Sequence, residues 1–187
     1  MYYIPYYGNM PMYNYGDQLV YWTLPYQGGY ANRAEPPRFS SGESIALKDY
    51  GAQPFVINLE NATKQNATYR TALWTGKNFQ ITLMSINVGD NIGLEVHPNV
   101  DQFLYIEQGE GFAQMGPSKN NLTYERKVYE NYAVVVPAGT WHNVTNTGSI
   151  PLKLYSIYAP PNHPFGTVHV TKADAEATEA GYGQGNQ

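Results

Sequence analysis

The stretch Gly89-Asp90-Asn91-Ile92-Gly93-Leu94-Glu95-Val96-His97-Pro98-Asn99-Val100-Asp101-Gln102-Phe103-Leu104-Tyr105-Ile106-Glu107-Gln108-Gly109 decides how the rest of the chain is read. Glu95 and His97 stand two residues apart, and on an extended strand that spacing sends both side chains to one face. Pro98-Asn99 makes a tight turn, after which Gln102 begins a new run with Leu104 and Ile106 repeating on its face. About forty residues later comes Val136-Pro137-Ala138-Gly139-Thr140-Trp141-His142-Asn143-Val144-Thr145-Asn146. There a Pro/Gly turn delivers His142 into the start of another β run.

The neighbouring sequence has the same texture. FQITLMSINV (79–88), GFAQM (111–115), AVVVPAG (133–139) and LKLYSIYA (152–159) are short runs rich in β-branched and aromatic residues. Turn clusters NVGDNIG (87–93), GPSKNN (116–121) and TNTGSIP (145–151) separate them. Many short strands with regular turn signals and almost no helical period predict an all-β sandwich or barrel. Helix is expected only at Ser44–Asp49, as a turn near Glu60–Thr63, and at Ala173–Ala180.

The 187-residue chain carries a net charge of −4 and only 14 % charged residues, which gives no basic patch for nucleic acid. It has no cysteine, so disulfides, thiolate metal sites and Cys nucleophiles are excluded. No apolar run approaches the length of a membrane span, and no basic segment precedes an apolar one as in a secretory signal. A cytoplasmic location is therefore expected. Nine of the eighteen tyrosines fall within the first thirty residues, spaced by Gly and Pro. This divides the chain into a Tyr/Pro/Gly-rich arm (1–40), a β domain (41–172) and a short helix with a Gly/Gln-rich tail (173–187). The arm reads either as a low-complexity segment or as an adhesive one whose exposed phenols stack, hydrogen-bond or cross-link.

The paired motifs resemble those of the cupins, double-stranded β-helix barrels of the jelly-roll type. The family's first motif is Gly, five residues, His-x-His, three or four residues, Glu, six residues, Gly; here Gly89, Glu95, His97, Gln102 and Gly109 hold those places. The second is Gly, five residues, Pro-x-Gly, two residues, His, three residues, Asn. Asn131, Pro137, Gly139, His142 and Asn146 hold those, with Asn131 replacing the Gly. The resemblance spans roughly residues 70–160.

Its implications are specific. The family's four ligand positions fall on Glu95, His97, Gln102 and His142, which would hold one divalent ion (Fe, Mn, Ni or Zn). Two imidazoles and one carboxylate remain, the minimum facial set for such an ion. The carboxylate has moved position while the ligand charge is kept. Without an ion, the same residues would form a polar cluster satisfied by water. The resemblance implies a metal-dependent oxygenase or isomerase acting on a small polar or sugar-like molecule, with Glu95 or Tyr105 as a base. Candidates for the substrate pocket are Arg70, Phe79, Leu104, Trp141 and Tyr155, although Arg70 also reads as a solvated surface cation. His163 and His169 follow the last core strand in a Pro/Gly-rich loop and are expected at the surface. The other possibility is that this loop folds over the barrel mouth and offers a proton donor. Cupin relatives imply a homodimer built through the stretch after Arg38. The alternative to an enzyme is a structural or ligand-binding cupin. Its arm resembles Tyr/Gly/Pro-rich segments of spore-coat proteins, which would place it on a bacterial spore surface.

Overall fold

The computed structural model describes residues 44–183, and burial alternates residue by residue along 133–136, 141–146 and 152–159. The elements are α1 (Leu59–Gln65), β1 (Arg70–Thr75), β2 (Gln80–Ile86), β3 (Asp101–Gln108), β4 (Glu110–Gly116), β5 (Tyr124–Tyr129), β6 (Ala133–Val136), β7 (Trp141–Asn146), β8 (Leu152–Ala159), β9 (Val168–His169) and α2 (Lys172–Gly183). They form a six-stranded sheet in the order β6-β3-β8-β2-β1-β9 and a three-stranded sheet in the order β5-β4-β7. All pairings are antiparallel. The Tyr-rich arm lies outside the described residues.

The register stacks the inward side chains of the larger sheet in rows. Gln80, Tyr158 and Gln102 form one row, and Thr82, Ser156 and Leu104 the next. Met84, Leu154 and Ile106 follow, and Ile86 with Leu152 closes the far end. The apolar rows join Ala113, Val128 and Val144 of the smaller sheet in one buried core. Each fully buried Leu or Ile there contributes about 1.5–3 kcal/mol. The polar rows lie toward the opposite end, and that is where the site forms.

Two turn positions show what the motif spacing encodes. Gly139 has φ +76° and Asn131 has φ +69°, both in the left-handed region. Asn is among the few non-Gly residues that tolerate this region, so it can stand where the motif has Gly.

The outer face of the larger sheet is also covered. Leu73 and Leu83 are buried there with Ala62 of α1, and Ile45, Leu47, Tyr50, Phe55 and Ile57 pack against them. The expected helix at Ser44–Asp49 does not form. Ile45 and Leu47 face the sheet while Ser44, Ala46 and Lys48 face solvent, a period of two. The Ile45 backbone N–H and C=O are both taken by the Gln65 side-chain amide, at 2.8 and 2.6 Å, so the backbone is held from the side. The expected turn near Glu60–Thr63 is part of the seven-residue α1, capped by Asn58, whose Oδ1 accepts from Asn61 N–H. Helix α2 begins on a reciprocal cap: Thr171 N–H donates to Asp174 Oδ2, and Asp174 N–H to Thr171 Oγ1. Lys172 Nζ ties this end to Asn91 Oδ1 and Asp90 Oδ1.

Candidate metal centre

The two motifs meet through backbone pairing. Glu95 N–H donates to His142 O at 3.1 Å, and His142 N–H donates to Glu95 O at 2.9 Å, so these residues sit opposite each other on one face. Gly139 N–H donates to His97 O at 2.8 Å, which docks the Pro137–Gly139 turn on the first motif. Glu95, His97 and His142 therefore offer three donor atoms within 4.8 Å of one another.

Glu95 Oε1 lies 3.3 Å from both His97 Nε2 and His142 Nε2. All three atoms are buried, and none makes a hydrogen bond. His142 Nδ1 stands 3.0 Å from Thr140 O. A carbonyl only accepts, so that nitrogen carries a proton, and Nε2 is the atom that faces Glu95. An unprotonated nitrogen facing a carboxylate oxygen is costly unless a proton or a cation lies between them. Burial raises the Glu95 pKa, but the His142 and His97 side chains, with the charge of Arg70, outweigh it. The carboxyl is held well below the usual range. Gln102 adds a buried amide oxygen on the larger sheet. Its Nε2 donates to Ser156 Oγ at 3.0 Å, leaving Oε1 buried without a partner. The three converging atoms, one carboxylate oxygen and two imidazole nitrogens, are of the kinds that hold a divalent cation.

The other residues singled out by the sequence divide by face. Leu104 points inward one row below Gln102 and is fully buried in the core. Arg70 is 1 % exposed, so it is no surface cation; it faces inward opposite Met84 and His169. Tyr105 and Tyr155 lie on the outer face, stacked at 5.3 Å, and Tyr105 Oη donates to Asn131 Oδ1. The expected base role of Tyr105 and pocket role of Tyr155 are thus corrected: alternation from Gln102 turns both away. Trp141 precedes the inward His142 and faces outward by the same rule. Phe79 sits 39 % exposed at the β1–β2 turn, stacked on Trp74, and is not among the residues lining the cavity beside Glu95 and His97.

The loop histidines are corrected the other way. His169 is 7 % exposed, and His163 turns a buried, unpartnered Nε2 inward. A cavity of about 560 Å³ is lined by Glu95 and His97 together with His163, Phe165 and His169. Gln80 straps the loop down: its Oε1 accepts from His163 N–H at 3.0 Å, and its Nε2 donates to His163 O at 2.9 Å. The His163 ring meets Tyr158 edge-on at 5.0 Å, and Tyr158 meets His97 at 5.7 Å. Burial, then the charge of Arg70, pushes the His163 pKa down to about 3. Gln80, Ser156 and Tyr158 escaped the sequence reading, although each is a polar residue at an inward position of an otherwise apolar run.

Comparison with known proteins agrees with this geometry. A family model for the cupin domain matches residues 82–158, which contain both motifs. The protein YrkC of Bacillus subtilis strain 168 is 61 % identical over 186 residues, covering 96 % of this chain and all of that one. The L612 protein of Acanthamoeba polyphaga mimivirus is 36 % identical over 121 residues, covering 64 % and 74 %. The crystal structure of BH2720 from Bacillus halodurans shares 60 % identity and a TM-score of 0.70, over 70 % of this chain and 99 % of that one. Among the described residues, no helix is long and apolar enough to cross a membrane. With two antiparallel sheets, both motifs at family spacing and these relatives, the chain belongs to the cupin superfamily.

Proposed function

We propose that the barrel binds one divalent metal ion (Fe, Mn, Ni or Zn) through Glu95, His97 and His142, with Gln102 as the fourth donor, and that it is a metal-dependent enzyme. The observation that carries this is the convergence of three buried, unpartnered donor atoms within 4.8 Å. The ion would supply Lewis acidity and open coordination positions to a small polar or sugar-like molecule, for oxygenase or isomerase chemistry. The chain's own residues prepare the place. Glu95 provides the single negative charge and is the candidate base, Thr140 fixes the His142 tautomer, and Ser156 orients Gln102. Arg70 is the candidate anchor for an acidic group on the substrate.

Metal analysis of the purified chain tests the proposal. About one ion per chain is expected in the wild type, falling to background in His97→Ala and His142→Ala. Unchanged metal content in those variants would remove the site. The oxygenase version further expects dioxygen consumption that depends on added Fe(II).

The tyrosine enrichment of the first thirty residues favours a second reading. Here the barrel serves as a binding or structural module that the arm joins to a larger assembly, as on a spore surface. Both readings carry a homodimer, which sedimentation of the full chain would register.

A further inference from the structure

One polar group at the mouth has no task in the metal site as described. His163 Nε2 is buried and makes no hydrogen bond, although desolvating such an atom costs about 1–3 kcal/mol. The backbone that carries the ring is held in place. Gln80, itself fully buried, binds both the N–H and the C=O of His163 and also donates to Thr75 Oγ1 at 2.8 Å. Three residues further on, Gly166 N–H donates to Asp49 Oδ2 at 3.0 Å. Thr167 O then accepts from Ala72 N–H at 2.8 Å. The loop is pinned to β1 and β2 at successive points, and the cavity beneath it is shared by His163, Glu95 and His97. His163 is not in the group of converging ligand atoms, yet it lines the same cavity as Glu95 and His97. Arg70 is buried on the neighbouring strand and adds positive potential acting on both Glu95 and His163, which selects for anions.

Resting on the metal-site reading, we propose that His163 is the ligand-facing residue of the centre. Its imidazole donates a hydrogen bond to a small anion occupying the open side of the Glu95–His97–His142 set, and Gln80 is the positioning residue that holds it there. The ligand class is a compact anion that accepts hydrogen bonds, such as a carboxylate or a pseudohalide.

The test uses the full chain loaded with Co(II) and titrated with azide, followed by the visible Co(II) bands. The wild type, His163→Ala, His163→Gln and Gln80→Leu should all bind Co(II) with equal affinity. Azide should bind about fivefold more weakly to His163→Ala and to Gln80→Leu, the worth of one hydrogen bond. His163→Gln keeps a side-chain N–H and should recover part of that loss. Equal azide affinity in wild type and His163→Ala would overturn the proposal. So would loss of Co(II) from His163→Ala, which would make His163 a ligand of the ion. If His163→Ala does not fold, Gln80→Leu reads the same question with the ring retained, and unchanged azide affinity there overturns it. A wild type that binds no Co(II) fails differently, because it removes the metal site and this role together.

Discussion

A histidine kept neutral by burial leaves a signature in the pH dependence of stability, and replacing His163 by Gln should erase it. The imidazole pKa falls from 6.5 to about 3 on folding, through burial and then the neighbouring Arg70 charge, with smaller effects from Glu95, His97 and His169. The unfolded chain therefore takes up a proton at a higher pH than the folded chain does. Above pH 6.5 both states are neutral and no stability is lost. Between pH 6.5 and pH 3 the unfolded state holds the extra proton, and stability declines by about 1.4 kcal/mol per pH unit. From pH 7 to pH 4 this amounts to about 3 kcal/mol attributable to His163 alone. Glutamine does not titrate, so the variant keeps the acid losses of the other groups and lacks this one. Urea unfolding of both proteins in chelator, at half-unit steps from pH 7 to pH 4, reads the difference directly. The wild-type and variant curves should converge by about 3 kcal/mol as the pH falls. Parallel curves over the whole range would show that His163 titrates normally, which would refute its burial beneath the strapped loop.

Glu95→Gln removes the only carboxylate of the centre while keeping its shape. The metal dissociation constant should rise by more than the roughly 10–100-fold typical of losing an outer partner, measured by competition with a chromogenic chelator. Asn146→Ala withdraws a buried amide that donates to Ile86 O and Ile150 O and accepts from Gly148 N–H, each at 2.9 Å. The denaturation midpoint should drop by the equivalent of at least about 2 kcal/mol, with metal content per folded chain unchanged. Gly111→Ala would set a Cβ 2.7 Å from Thr145 O and 3.2 Å from a Leu152 methyl, costing about 1–3 kcal/mol in the same assay. Deleting residues 1–40 should leave the barrel's unfolding transition in place and abolish incorporation into larger assemblies, as read by sedimentation.

The strands and the meeting of Glu95, His97 and His142 are legible because both depend on spacing. Glu95 and His97 share a face by period two, and the motif distances carry His142 to the same place, where a backbone pair completes the meeting. Even the departure at Asn131 was readable, since the position needs a left-handed backbone rather than a glycine as such. The errors came from phase and from long-range contact. The alternation that puts Leu104 on the face of Gln102 turns Tyr105 to the other face, which aromatic character alone does not reveal. The Ser44–Asp49 segment has no strong local preference, and its extended form depends on Gln65, twenty residues away. His163 was hidden for the same reason. A Pro/Gly-rich loop reads as surface until Gln80, eighty-three positions distant in sequence, is known to hold it down.

The row-by-row register along β2, β8 and β3 also sets how this barrel responds to sequence change. Residues such as Met84, Leu154 and Ile106 stand two rows below Gln80, Tyr158 and Gln102, with Thr82, Ser156 and Leu104 between them. Changes at well-separated positions add nearly independently. Repacking the lower rows would alter resistance to unfolding and leave the mouth alone, whereas exchanging the top row would act first on the mouth and on the loop that Gln80 holds. Selection can thus adjust heat tolerance and ligand preference as two separate traits on one set of strands. The middle row is the exception, because Ser156 is packed like a core residue and holds the amide of Gln102. It is the position where the two traits remain joined.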